Sequence, residues 1–232
     1  MNGSINRVVT QLVQSFVYAH KMRRRQLFDH IINTAQTPEE SRIYHKVLDY
    51  LMAAHFGQKR KGPTPQPYFI HIYMVWVQAF MANESFPVQL AHLLHDTAED
   101  APKRLNKSRA EVRRDIGDLT ERFADEVLAM VDGLTNKKGL KAEDKHRWQL
   151  EHFKTLPAAT QRAKLRDKIA NTWDSAYNMP DWHWEKLLSQ IILMREMYDA
   201  AAEPDRNMLA MVNYVHLRLT EAIADRDGIL PR

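Results

Sequence analysis

Ten residues concentrate the chemistry of this chain. Positions 91–100 read AHLLHDTAED and set His92, His95, Asp96, Glu99 and Asp100 around a pair of leucines. Acids and imidazoles at this density repel one another or shift their pKa values unless a cation neutralises them. On a helix, adjacent side chains diverge by roughly 100°, so His95 and Asp96 can approach one ion from two sides. Glu99 and Asp100 each follow four residues later, which predicts one helix face lined by His95, Asp96, Glu99 and Asp100. Mixed imidazole and carboxylate ligands suit Mn²⁺, Fe²⁺, Zn²⁺ or Mg²⁺. Two residues rarely complete such a site, and two further candidates stand elsewhere: His71 after a proline-rich loop, and Asp167 in KLRDKIAN on a semi-apolar helical face. Taken singly, each is as readily a surface charge or a hydrogen-bonded core histidine; taken together they describe a metal site. The composition excludes several competing chemistries. There is no cysteine, hence no thiolate nucleophile, thiolate zinc site or disulfide. With 7 glycines the chain has neither GxxxxGK[ST] nor GxGxxG, hence no glycine-rich phosphate loop. No Ser-His-Asp arrangement is evident.

The elements that must position these residues are helical. Val9, Leu12, Val13, Phe16 and Val17 recur at helical spacing, as do Ile43, Val47 and Leu51 before a glycine stop at Gly57. IHIYMVWVQAFMA has the β-branched and aromatic content of a strand, but its length and neighbours favour a buried helix. FPVQLAHLLHDTAED reads as one helix after Pro87. DLTERFADEVLAMVDGL reads as another, with Asp118 as N-cap, Glu121 at the capping-box position and an end near Gly133. Three more helical runs follow. With no confident strand pair and no Asn-Gly hairpin, the expected fold is all-α, a compact single-domain helical bundle. Pro63, Pro65 and Pro67 keep KGPTPQPYF out of helix. The 232 residues are 44% hydrophobic and 27% charged, the balance of a soluble globular chain. Near the N-terminus the charge cluster Lys21 to Arg25 follows the apolar part, the reverse of a secretory signal, and no apolar run reaches the roughly 18 residues of a membrane span. A cytoplasmic location and no membrane are therefore expected. The net charge of +4 suits a polyanionic ligand such as a nucleotide.

The order His71, His95-Asp96, Asp167 resembles the H…HD…D signature of the HD-domain metal-dependent phosphohydrolases. AHFGQKRKG, PYFIH, HLLHDTAED, FADEVLAMVDGLT, HRWQLEH and AKLRDKIAN together are similar to the (p)ppGpp hydrolase domain of Rel/SpoT proteins, and most similar to the Mesh1-like small alarmone hydrolases. HD alone is a weak motif; six blocks in order over residues 41–215 are specific. The resemblance implies that residues 41–215 form the HD domain, after an N-terminal helical extension (1–40) and before a C-terminal helix end and tail (216–232). It implies that His71, His95, Asp96 and Asp167 hold one Mn²⁺, that Glu99 and Asp100 activate and orient the attacking water, and that Arg60 and Lys61 lie against the purine and its phosphates. Asn171 would contact the nucleotide sugar, and Lys141 and Lys145 are candidate 5′-phosphate partners. His55 reads as a structural element of the pocket and Tyr68 as packing beneath His71. The implied reaction releases pyrophosphate from the 3′-oxygen of (p)ppGpp, giving GDP or GTP. The recognised region leaves no room for a synthetase domain, so degradation alone is expected.

This chain departs from the family pattern. Ile72 stands where proline usually follows the first ligand, the proline loop is about two residues longer, and Arg166 replaces a small residue before the last aspartate. About eleven extra residues fall within 101–114 and carry Lys103, Arg104, Lys107, Arg109, Arg113 and Arg114; they either cap the pocket against substrate phosphates or form a solvated loop. Two rival functions stay open. One is a phosphohydrolase acting on another nucleotide, such as the 2′-phosphate of NADPH or an adenosine alarmone. The other is a non-enzymatic helical domain binding nucleic acid or a partner, against which the Glu99-Asp100 pair argues. A small nucleotide is the expected partner, nucleic acid is disfavoured, and a homo-oligomer is left open.

Overall fold

The computed structural model describes residues 2–137 and 139–228; the end of the expected C-terminal tail, 229–232, lies outside them. Among the described residues there are twelve α-helices and no strand: α1 (Asn2–Lys21), α2 (Arg24–Asn33), α3 (Pro38–Ala54), α4 (Phe69–Met81), α5 (Phe86–Leu94), α6 (Thr97–Leu105), α7 (Arg109–Thr120), α8 (Ala124–Leu134), α9 (Ala142–Thr155), α10 (Ala158–Tyr177), α11 (Trp184–Asp199) and α12 (Arg206–Asp227), with a 3-10 turn at Glu121–Phe123. The all-α expectation is met. Among the described residues no helix is long and apolar enough to cross a membrane.

Contacts divide the chain into two units. One comprises residues 16–58 and 67–137. Its α3 starts where local chemistry dictates: Thr37 accepts a hydrogen bond from the Glu40 amide, Pro38 occupies the first turn, and Glu39 and Glu40 face the positive end of the helix dipole. The face bearing Ile43, Tyr44, Val47, Leu48 and Leu51 is buried. The run with strand-like composition is indeed a helix, α4, and every residue from Phe69 to Ala79 is buried. Burial on all sides explains why its β-branched residues do not force a strand, since packing overrides a propensity difference of about 1 kcal/mol or less. Within this unit α5 packs on α3, α4 and α8.

Two expectations, the single helix over 86–100 and the N-cap at Asp118, fail in this unit. The stretch 86–100 is not one helix: α5 stops at Leu94 and α6 starts at Thr97, with Asp96 at φ −96°, ψ −5° between them. His95 and Asp96 thus sit at a junction rather than on a continuous helical face. The basic stretch 101–114 is helical, as the end of α6 and the start of α7, joined at Asn106 in the left-handed region. The expected N-cap at Asp118 lies inside α7, and Glu121 ends that helix at φ 53°. The true capping box is ten residues earlier, where Ser108 and Glu111 bond reciprocally. Both S-x-x-E and D-x-x-E satisfy the box locally, and only packing decides which is used.

The second unit comprises residues 1–15, 59–66 and 138–232. Helices α10, α11 and α12 pack on one another, with α9 against α11. Leu187, Ile191, Leu219 and Ile223 form a buried cluster flanked by Ala176, Met179, Trp182 and Trp184. The middle helix α10 buries polar groups as well: Lys164, Arg166, Asp167 and Asp174 are all buried. Burying that much charge is costly without partners.

Candidate active site

The junction between α5 and α6 places His95 and Asp96 beside His71 of α4. The Nε2 atoms of His71 and His95 are 3.3 Å apart, and Asp96 Oδ2 lies 2.9 Å from His95 Nε2 and 3.7 Å from His71 Nε2. His95 Nδ1 donates to the His92 carbonyl at 2.8 Å, which leaves the Nε2 lone pair pointing at this centre. Three acceptor-capable atoms therefore converge. Only a proton or a metal cation between them makes the arrangement favourable. Imidazole and carboxylate donors oriented in this way fit a divalent ion. Burial by itself would raise the Asp96 carboxyl, but the His95 and His71 imidazoles and the Tyr68 hydroxyl outweigh it and hold the group well below the usual carboxylate range. His92 Nδ1 is turned away from the centre and donates to Val88 O of its own helix at 2.6 Å.

The two following acids are each held by a group that the spacing did not reveal. Glu99 Oε1 accepts from the Asn136 amide at 2.6 Å and from Asn136 Nδ2 at 3.0 Å. Both bonds reach the same oxygen. Asp100 Oδ2 accepts from Gln58 Nε2 at 2.7 Å, while Gln58 Oε1 accepts from His55 Nδ1 at 2.7 Å. His55 stacks on Tyr68, with ring centroids 5.1 Å apart. Burial pushes the His55 pKa down and keeps its ring neutral. His55 is thus more than filler: it fixes the amide that fixes Asp100. Tyr68 does lie against His71, at 5.5 Å between centroids, and its hydroxyl also donates to Asp96.

In the second unit α10 carries a polar stripe, Asp167, Asn171, Asp174 and Asn178, at intervals of four, three and four. Asn171 Nδ2 donates to Asp167 Oδ1 at 2.6 Å. Arg60 donates from Nε to Asp174 Oδ2 and from Nη2 to Asn171 Oδ1, both at 2.6 Å. Arg60 and Asn171 are therefore brought together, and Asp174 joins them. That residue was missed although its helical spacing from Asn171 was legible. Lys61 is exposed, with Nζ 5.4 Å above the Trp182 ring, and Lys186 Nζ lies 3.7 Å from the same ring. Burial, then the neighbouring charges of Lys61 and Lys145, pushes the Lys186 ammonium down. Lys61 and Lys145 thus share a basic patch with Lys186, another residue no sequence spacing indicated. Lys141 is exposed at the N-cap of α9. In the 101–114 stretch, several cations have partners inside their own unit: Arg104 donates to the Phe56 carbonyl at 2.9 Å, Lys107 to Asp115 at 2.6 Å and Arg113 to Asp132 at 3.1 Å.

No family model matches the chain. Among characterised proteins, it is 26% identical over 170 residues to the guanosine-3′,5′-bis(diphosphate) 3′-pyrophosphohydrolase MESH1 of Drosophila melanogaster, spanning 71% of this chain and 88% of the fly protein. It is 32% identical over 140 residues to MESH1 of Xenopus tropicalis, spanning 59% of this chain and 67% of the frog protein. A solved structure of a metazoan ortholog of SpoT that hydrolyses ppGpp superposes with a TM-score of 0.62 at 24% identity, over 84% of this chain and 100% of that one, and shows that the fold is shared. The convergent histidine and aspartate donors, the two tethered acids and these likenesses lead to one assignment: the chain belongs to the MESH1 family of 3′-pyrophosphohydrolases.

Proposed function

We propose that this protein is a Mn²⁺-dependent hydrolase that removes the 3′-pyrophosphate of (p)ppGpp, giving GDP or GTP and pyrophosphate. The observation that carries this reading is the convergence of His71 Nε2, His95 Nε2 and Asp96 Oδ2 in a chain of this family. His71, His95 and Asp167, all buried, are the donor types that hold a divalent ion, and Asp96 is the fourth ligand of the proposed set. When bound, such an ion lowers the pKa of a coordinated water and offsets phosphate charge. The protein's own groups do the rest. Glu99, fixed through Oε1 by Asn136, takes the proton of the attacking water as the new oxygen–phosphorus bond forms. Asp100, fixed by Gln58, lies on the route by which a proton reaches the ribose 3′-oxygen as its bond to phosphorus breaks. One water is consumed: its oxygen and one proton stay on the released pyrophosphate, and its other proton, taken up by the carboxylates, ends on the ribose 3′-oxygen of the departing nucleotide. Arg60 and Lys61 bind the nucleotide, Asn171 its sugar, and Lys141 and Lys145 the 5′-phosphates. Residues 41–215 form the catalytic domain, with 1–40 as a helical extension and 216–232 as the end of the last helix and tail. The cysteine-free composition suits a reducing cytoplasm.

The test is product identification after incubating the Mn²⁺-loaded protein with ppGpp, NADPH and a 5′-nucleotide. GDP and pyrophosphate from ppGpp support the reading. Inorganic phosphate from NADPH or the 5′-nucleotide, with ppGpp untouched, overturns it in favour of a different phosphohydrolase. Glu99→Gln should keep Mn²⁺ bound and stop turnover; persisting activity would show that another group takes the proton.

A further inference from the structure

The loop that presents Arg60 and Lys61 is held from inside by one side chain that no motif points to. The Arg60 amide donates to the Gln66 carbonyl at 2.8 Å and closes residues 60–66 into a ring. Asn178, which ends α10, fills that ring. Its Oδ1 accepts from the Thr64 amide at 3.0 Å, and its Nδ2 donates to the Thr64 carbonyl at 2.9 Å and to the Lys61 carbonyl at 3.4 Å. The loop has been shaped to admit it. Gly62 adopts φ +138°, and a Cβ there would lie 2.3 Å from the Asn178 carbonyl oxygen and 2.4 Å from its Nδ2. No side chain fits at that position without breaking the clamp. Asn178 is also the last member of the α10 stripe whose Asn171 and Asp174 hold the Arg60 guanidinium. One helix face therefore grips the loop at its side chain and at its backbone. The far side of the platform is fixed as well: Arg226 of α12 donates to the carbonyls of Pro180 and Trp182, at 3.2 and 2.9 Å, and the Trp182 ring lies under Lys61.

We propose that Asn178 is a positioning residue for nucleotide binding: it sets the backbone of residues 61–64, and through it the place of Lys61. The proposal rests on the reading of Arg60 and Lys61 as nucleotide-binding groups. Holding a cation in place before the ligand arrives removes an ordering cost from binding and leaves the chemical step untouched. A merely structural asparagine would instead change stability and leave kinetic constants alone.

The experiment uses the full chain loaded with Mn²⁺. Asn178→Ala should raise the KM for ppGpp about tenfold with kcat within about threefold, from the loss of two to three hydrogen bonds of about average strength. Amide exchange at Thr64, which needs no substrate, should accelerate about tenfold or more. Gly62→Ala, which wedges the loop away from the opposite side, should give the same split. In a Lys61→Ala background, Asn178→Ala should raise KM by less than about twofold more, because the clamp then has no cation to place. An unchanged KM despite accelerated Thr64 exchange overturns the proposal, as does a full tenfold loss in the Lys61→Ala background. Unaltered Thr64 exchange overturns it too, by showing that the clamp does not hold the loop. A wild-type protein inert towards ppGpp is a separate failure, which overturns the assigned reaction and this proposal with it.

Discussion

Replacing Gln58 with leucine removes the relay that connects His55 to Asp100 while keeping a side chain of similar size. Gln58 Nε2 donates to an acid at 2.7 Å, and a hydrogen bond to a charged group contributes about 1.5–3 kcal/mol. If that bond holds Asp100 where the leaving oxygen departs, its loss appears in the transition state and lowers kcat by roughly 10- to 160-fold. KM should move by no more than about threefold, because the bond that is lost holds Asp100, which the proposed mechanism assigns to proton transfer and not to nucleotide binding. The same substitution strands the buried His55 Nδ1–H, which now donates to Gln58 Oε1 at 2.7 Å. An unsatisfied buried donor costs about 1–3 kcal/mol, or a melting temperature lower by about 2–12 °C in a chain of this length. A melting curve of each variant, with its midpoint well above 25 °C, accompanies the kinetics. Gln58→Glu gives a second, sharper reading. The acceptor for His55 is kept, but two carboxylates now meet at hydrogen-bond distance, and only a proton shared between them restores the contact. Its activity relative to wild type should rise as the pH falls from 8 to 6. The assay is a pyrophosphate-release time course with ppGpp at saturating and sub-saturating concentrations. A Gln58→Leu protein with kcat within twofold of wild type would refute the relay, as would a Gln58→Glu protein equal to wild type at pH 8.

Three further outcomes follow from the same geometry. His95→Ala should weaken Mn²⁺ binding by more than about 100-fold in titration calorimetry, whereas His92→Ala, whose Nδ1 bonds the Val88 carbonyl of its own helix, should leave that affinity within about threefold. Glu121 is held at a pKa of about 2 by hydrogen bonds from Arg42 and Lys46. Because its folded-state value is depressed, the stabilisation is present above the ordinary value of 4.5 and is lost as the pH falls towards 2. The melting-temperature gap between wild type and Glu121→Gln should therefore shrink between pH 6 and pH 2.5, and a gap that stays constant would contradict the pairing. Trp76, fully buried and stacked 5.3 Å from Phe80, should cost about 3–5 kcal/mol on truncation to alanine, read as a lower urea midpoint at unchanged slope.

Much of this protein is written locally. Thr37-Pro38 followed by Glu39 and Glu40 starts α3 with no help from the rest of the chain, because the cap, the fixed proline φ and the dipole all act within one turn. The clustering of His95, Asp96, Glu99 and Asp100 by itself calls for a cation, because charge density along a chain is a property of the sequence. The ordered motif blocks named the family. What the sequence could not decide is which local option the fold takes. Ser108 and Asp118 both precede a glutamate by three residues, and the helix starts at the first. The stretch 86–100 satisfies helical spacing throughout, and the chain nevertheless breaks at Asp96. The partners of the reactive groups were equally hidden. Gln58 meets Asp100 across 42 residues, Asn136 meets Glu99 across 37, and Arg60 meets Asp174 across 114. A polar side chain leaves a periodic trace only when its partner is a few residues away on the same helix. Across longer separations the pairing exists only once apolar faces have packed and fixed which polar ends face each other.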